Sequence, residues 1–382
     1  GAAGVATSSN ITLTFSENIA FGTGNIQIID LDNGSSTVTI NAASPGTQAS
    51  ISTNTLTLNP TSDLEELTNY AIQIAATAID DVYGNSYAGI SDNTTLNFQV
   101  ADITPPVLLS STPSDNATNQ ILSGNIVLNF DDILVAGTGN VTIRRSSDGG
   151  IFEQIAITDS RITVSGTQLT INPAGIFAKG TGYYIEIDPT ALDDDAGNSF
   201  AGISGSSTLN FTTVDVVINE VVTEPQTDWS TNIFNGTNGG GSVSEIDEWV
   251  ELFIKSSGID LSVGWTLEVS SNAFSGSLNA DGAFEISRYV GGSGSISNTA
   301  SGSYLVLGNP ISSYQMTNST TITLKDPGGA VVDAVTLFNS SAPSANSDNI
   351  FNESAQRFPN GTDTDTNTDW TQGQASMGTA NT

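Results

Sequence analysis

The sequence predicts an all-β protein made of consecutive β-sandwich domains. Three observations carry this expectation. Apolar residues alternate with polar ones in short strings, Gly, Asn, Ser and Thr punctuate those strings, and one long block of the chain occurs twice. The chain has 382 residues, room for roughly two to four domains at ~100–200 residues each. Hydrophobic residues make up 37% of it in short runs, which suits several modest cores better than one large one. Its 38 Gly and many Ser, Thr and Asn would fit a disordered chain if Val, Ile, Leu and Phe did not recur in strings.

The strings read as half-buried strands. Ile11, Leu13 and Phe15 share one side while Thr12 and Thr14 share the other, the period of two that a strand imposes. Leu56 and Leu58, then Tyr70, Ile72 and Ile74, then Leu96 and Phe98 continue the pattern, at spacings expected of a sandwich. Helical periodicity is nearly absent; Ser62–Leu67 has room for one short turn.

The repeat is explicit. Asn10-Ile-Thr-Leu-Thr-Phe15 returns as Asn125-Ile-Val-Leu-Asn-Phe130, and Gly22-Thr-Gly-Asn25 as Gly137-Thr-Gly-Asn140. Leu56-Thr-Leu-Asn-Pro60 returns as Leu169-Thr-Ile-Asn-Pro173, and Gly84–Ser91 as Gly197–Ser204. Four blocks in the same order mean two copies of one domain. With its alternating strands, this repeat resembles the bacterial Ig-like domains of S-layer-associated and repetitive surface proteins. The resemblance rests on "NITLTFSENI", "GTGNI", "LTLNP" and the loops "AIDDVYGNSYAGI" and "ALDDDAGNSFAGI". It implies Ig-like sandwiches over residues 1–101 and 102–215, used as spacers or adhesive modules without catalysis of their own. The linker Asp102-Ile-Thr-Pro-Pro106 opens the second copy, its two prolines stiffening the junction. A first strand, Val107–Ser110, follows there. Gly1 aligns with Asn116, so the first copy lacks a counterpart of that strand. Either the strand lies outside this sequence, or a neighbouring molecule supplies it by strand addition.

A different pattern begins at Val216. "INEV", "EWVEL", "GWTL", "YLVL", "GGAVVDAV" and "SAQRFPNGTDTDTNTDW" follow in order over residues 216–382. This region resembles a lamin-tail domain of the bacterial type, which implies a third Ig-like β-sandwich and a binding or assembly role, sometimes beside hydrolases. Two Gly/Ser-rich insertions, Asn235–Ser244 and Gly291–Gly302, read as surface loops.

Charge narrows the function. Forty acidic residues face eight basic ones, a formal net charge of −32. Such a field repels nucleic acid and anionic membrane and attracts divalent cations. With no His and no Cys, Ser-His-Asp and Cys-His catalysis, the usual zinc sites and disulfides are all excluded. No apolar run approaches the ~20 residues of a membrane helix. Gly1–Val5 lacks the character of a signal peptide, so any export signal is expected outside this sequence. Forty carboxylates make no pair distinctive for glycoside hydrolysis or for metal-activated water; the expectation is not an enzyme.

The candidate sites are oxygen-rich loops suited to Ca²⁺, which takes six to eight oxygen ligands. Asp80, Asp81 and Asn85 form one set, and Asp193, Asp194, Asp195 and Asn198 the matching set of the second copy. The alternative is a plain Asp/Gly/Asn turn. Asp363, Asp365, Asn367 and Asp369 occur at every second position. An extended strand would align them in one negative row, although the Gly and distal Glu of an EF-hand are missing. Glu220 and Glu251 sit in the lamin-tail-like motif. Glu251 shares a strand face with Trp249 and, buried, would need Arg357 or a cation. The composite expectation is a non-catalytic extracellular or cell-surface segment stabilised by Ca²⁺, whose partners are copies of itself, other surface proteins or glycans. The alternative is an accessory binding region of a larger secreted enzyme such as a hydrolase or nuclease.

Residues 1–101 carry nine acids (Glu17, Asp30, Asp32, Asp63, Glu65, Glu66, Asp80, Asp81 and Asp92) and neither Lys nor Arg. Self-repulsion there is screened by salt. Lowering the salt in the presence of chelator is therefore expected to destabilise this copy before the rest. Hydrogen exchange resolved along the chain measures it, and equal loss in both copies would refute the expectation.

Overall fold

The computed structural model describes residues 1–223, 248–270, 283–285, 291–292, 298–308, 316, 320–337, 353–364, 367–374, 376 and 380–381. Within them the chain is β-strand joined by turns, with 3-10 geometry at Asn367–Asp369. It divides into two compact units, residues 1–106 with 193–199, and residues 107–192 with 200–382.

In the first unit two sheets close over one core. The five-stranded sheet runs Ala2–Val5, Asn97–Val100, Asn69–Ile74, Asn25–Asp30, Ser36–Asn41; the three-stranded sheet runs Ile11–Thr14, Thr55–Leu58, Ala49–Ser52. Alternation decides which side faces in. In Asn25–Asp30 the buried residues are Ile26, Ile28 and Asp30, and in Thr55–Leu58 they are Leu56 and Leu58. Ile26, Ile28, Ile72, Ile74, Leu56 and Leu58 form the centre of the core. Ser62–Leu67 does not coil into a helix. It is a turn fixed by the Glu65 N–H donating to the Tyr70 hydroxyl at 3.1 Å, with Leu64 buried beneath.

The second copy repeats the plan with one strand added. Its five-stranded sheet is Ala117–Gln120, Asn210–Thr213, Gly182–Ile187, Asn140–Arg145, Ile151–Ala156. The other sheet has four strands, Leu108–Thr112, Ile126–Phe130, Gln168–Ile171, Ile162–Ser165. Phe177 packs at ring-centroid distances of 4.8–5.4 Å from Tyr183, Phe152 and Phe211, an aromatic cluster at one end of this core.

From Val216 onward a six-stranded sheet (Gly291–Gly292, Tyr304–Gly308, Trp249–Ile254, Val216–Val222, Glu353–Arg357, Trp370–Gln374) packs on a four-stranded one (Ala283–Glu285, Thr266–Ser270, Thr321–Lys325, Val331–Thr336). Val216–Val222 is buried at every position, so both its faces are covered. Asn235–Ser244 lies outside the described residues. Of the second Gly/Ser-rich insertion, Gly291–Gly292 pairs with Leu305 and Val306 as a short edge strand rather than a loop.

The second copy and this last region share a buried seam. Leu122 and Val214 belong to the last region's core cluster. The Leu122 N–H donates to Asp326 at 2.6 Å, and Asn119 Nδ2 donates to the Ser257 carbonyl at 2.8 Å. A side chain on Gly328 would meet the Ser123 carbonyl oxygen at 2.9 Å, so glycine sets how closely the two backbones approach.

The extra strand changes the burial of equivalent residues. Leu128 is fully buried, whereas its counterpart Leu13 is half-buried. Leu128→Ala is expected to cost about 2–5 kcal/mol, and Leu13→Ala clearly less. Denaturant unfolding of the two variants compares them, and equal losses would contradict the difference in covering.

Candidate functional site

Three places collect the chemistry. The first is the loop Asp80–Tyr87 and the cleft beside it. Asp81 accepts from Tyr83 N (2.7 Å), Asn85 N (2.8 Å) and Asn85 Nδ2 (2.7 Å), while Asp80 accepts from Ser86 Oγ (2.6 Å). The bonds from the Asn85 side chain and backbone hold the Asp81 carboxyl below the usual carboxylate range. Gly84 at φ 88° closes the turn, a conformation open to glycine at little cost. Asp80, Asp81 and Asn85 line a cleft of about 400 Å³ together with Leu13, Phe15, Glu17, Ile19, Ile79 and Tyr87. An apolar floor with an acidic lip suits an extended, partly apolar ligand better than a phosphate.

The second is the matching loop Asp193–Ser199. Asp194 accepts from Asn198 N and Asn198 Nδ2, both at 2.7 Å, and Asp193 from Ser199 Oγ at 2.5 Å. Asn198 also donates to the Asp102 carbonyl at 3.3 Å. Asp102 and Asp194 bring carboxylate oxygens to within 4.8 Å of each other, an approach that a cation would relieve. Asp195 is exposed and points away from this arrangement's hydrogen bonds. Sequence reasoning passed over Asp102, whose place beside Asp194 depends on a linker folding back over 92 residues. Glu66 was passed over too. It accepts from Ile103 N (3.0 Å) and Thr104 Oγ1 (2.5 Å), pinning the linker.

The third is a buried ionic cluster in the last region. Arg357, 2% exposed, donates from Nη2 to both oxygens of Asp333 at 3.0 Å and from Nη1 to Asp363 at 2.7 Å. Asp369 lies 3.5 Å from the same Nη1, and the guanidinium stacks 4.8 Å from the Trp370 ring centroid. Lys179 of the second copy reaches in, 3.6 Å from Asp333 and in contact with Asp363. Burial pushes the Asp333 carboxyl up against the pull of Arg357 and Lys179. At Asp363 burial acts upward too, but Lys179 and Arg357 together hold it below its ordinary range.

This cluster revises the expected negative row. Asp363–Asp369 is not an extended strand, because Asn367–Asp369 turns as a 3-10 segment and swings Asp369 onto Thr364 (2.6 and 2.7 Å) and toward Arg357. Asp365 lies outside the described residues, as does the side chain of Asn367. Glu251 also differs from expectation. Its partners include Asn219 Nδ2 at 2.9 Å, while Arg357 serves the aspartates. Glu220 is fully buried and accepts from Ser354 and Ser376, and burial pushes its carboxyl upward despite those bonds. Asn219 further contacts Asn360 at 3.0 Å and accepts from Gly361 N at 2.9 Å. Asp80, Asp81 and Asn85 are thus brought together, as are Asp193, Asp194 and Asn198. Asp363 and Asp369 converge on a guanidinium, and Glu220 and Glu251 each join separate hydrogen bonds.

The paired sandwiches and the tandem loops define a class: serial Ig-like modules. The model of the bacterial Ig-like domain family matches residues 1–100 and again 102–213, and the chain belongs to that family. A search of curated proteins returns no match. Among solved structures, the FN1–FN3 domains of chicken CNTN1 align over 88% of this chain and 97% of theirs, at 10% identity and a TM-score of 0.28. SGBP-B of the Bacteroides ovatus mixed-linkage glucan utilization locus, solved with a mixed-linkage heptasaccharide, aligns over 80% of this chain and 71% of its own, at 10% identity and a TM-score of 0.19. The S-layer protein rSbsC(31–844) aligns over 90% of this chain and 54% of its own, at 14% identity and a TM-score of 0.19. Likenesses this low decide nothing about function. Among the described residues no helix is long and apolar enough to cross a membrane.

Removing one partner of a buried ion pair strands the others. Arg357→Met is therefore expected to cost about 3–5 kcal/mol. Denaturant unfolding followed by Trp fluorescence, with Trp370 adjacent, measures it. A loss below about 1 kcal/mol, the value of an exposed pair, would show that the cluster is not sealed.

Proposed function

We propose that this chain is a non-catalytic structural or adhesive segment of a bacterial surface protein, extracellular, with three sandwiches in a row over 1–101, 102–215 and 216–382. The observation that carries the reading is the tandem pair of bacterial Ig-like domains, the second joined through the Leu122 and Lys179 contacts to the last region. Such a seam makes two modules behave as one stiff piece, which suits a spacer. The last region is proposed as a lamin-tail-like binding or assembly module on the motifs quoted above. Copies of the chain, other surface proteins or glycans are its proposed partners; the acid excess disfavours nucleic acid.

Ca²⁺ is the proposed stabiliser. The support is the net charge of −32 and the approach of Asp102 to Asp194, although Asp81 and Asp194 already spend oxygen lone pairs on turn hydrogen bonds. Asp80, Asp193 and Asp195, with Asp363, Asp369, Glu220 and Glu251 more deeply engaged, complete the proposed set.

Two measurements test the reading. Thermal unfolding in Ca²⁺, in Mg²⁺ and in chelator is expected to show a Ca²⁺-specific gain; a site at about a hundredfold its Kd adds about 2.7 kcal/mol. A gain matched by Mg²⁺ or NaCl would remove Ca²⁺ from the proposal. Incubation of the chain with polysaccharide and peptide substrates is expected to give no turnover, and turnover abolished by one carboxylate substitution would overturn the non-catalytic reading.

A further inference from the structure

The two copies differ at one edge, and the difference has the shape of a missing strand. In the second copy Ile126–Phe130 is paired on both sides. Gln168–Ile171 covers one edge, and Leu108–Thr112 covers the other in the register Leu108 with Phe130, Ser111 with Leu128, Thr112 with Val127. The linker end adds two bonds. Val107 N donates to the Asp131 carboxylate at 2.7 Å and Asp131 N to the Val107 carbonyl at 3.2 Å. Under this cover Ile126, Leu128 and Phe130 are 1%, 0% and 3% exposed, and Leu108 packs on the core.

In the first copy the equivalent strand, Ile11–Thr14, pairs with Thr55–Leu58 on one side and with nothing on the other among the described residues. Ile11, Leu13 and Phe15 are half-buried where their counterparts are sealed. Tyr87, against the edge of Phe15 at 5.3 Å, is half-buried as well, while its counterpart Phe200 is buried. The cleft of about 400 Å³ lies along this edge. Its apolar wall is made by the residues whose counterparts Leu128, Phe130, Leu134, Leu192 and Phe200 are buried in the second copy. An edge of this kind offers a row of backbone donors and acceptors to an incoming chain.

We propose that the Ile11–Thr14 edge and its cleft accept an extended strand from a partner polypeptide, of the chemistry of Asp102–Thr112. That segment is an acidic residue, two prolines that preset an extended backbone, two or three apolar residues, then Ser and Thr. The incoming strand pairs antiparallel with Ile11–Thr14 and continues the three-stranded sheet as a fourth strand. Its leucine in the place of Leu108 lies against Phe15 and fills the cleft. The second copy's own segment gives the occupant's chemistry, because it covers the same edge of the same fold. This interaction does not depend on the proposed surface location, and its failure would leave that reading standing.

The test uses the full chain and a synthetic peptide of the sequence Asp102–Thr112 with blocked ends, read by hydrogen exchange with mass spectrometry. The expected result is slowed exchange over residues 11–15, about tenfold when the peptide is at about ten times its Kd, and no change over 126–130, which is already covered. A peptide with Ser110→Pro, which lacks a ladder donor in mid-strand, is expected to protect poorly. Absence of protection over 11–15 at all soluble peptide concentrations would overturn the proposal. So would equal protection by the Ser110→Pro peptide, or equal protection over 126–130.

Discussion

Arg357 carries a charge into a place that water does not reach, and the last region is arranged to answer it. Three carboxylates converge there: Asp333 from the four-stranded sheet, and Asp363 and Asp369 from the loop that follows Arg357. A buried guanidinium alone would be prohibitive, and three carboxylates without it would repel one another. Each therefore fixes the others. The requirement reaches across to the second copy, because Lys179 supplies the second cation that balances Asp363 and Asp333. The seam between these two parts is thus ionic at one point and apolar at Leu122 and Val214.

The same logic explains why acid excess does not translate simply into metal sites. Asp81 and Asp194 close their own loops by accepting from the backbone and from Asn85 or Asn198. Asp326 likewise spends its oxygens on Leu122, Gly328 and Ala330. Many of the acids are turn formers in which the side chain stands in for a missing backbone acceptor. The approach of Asp102 to Asp194 is different in kind, since two carboxylates meet there with a linker pinned between them.

Two copies of one pattern fold alike and end differently. The alternation that buries Leu56 and Leu58 also buries Leu169 and Ile171, and the core of each sandwich follows from it. Edges are another matter. Whether a strand such as Ile11–Thr14 is an edge depends on what lies beyond it, not on its own residues.

The sequence by itself determined the β class, the internal repeat, the family of the first two modules and the turn chemistry of Asp81 and Asp194. All of these are local: a period of two, a Gly after Asp, an Asn four residues on. The exclusion of His- and Cys-based catalysis is compositional and equally secure. Only the tertiary structure decided that Asp363 and Asp369 turn inward on Arg357 instead of forming a row, and that Glu251 meets Asn219. It alone joined Lys179 to aspartates more than 150 positions away, set Asp102 beside Asp194 and left one strand edge uncovered. Those outcomes depend on which distant backbone reaches a buried charge or an open edge first, and strand alternation, which sets only the side a residue faces, holds no record of that.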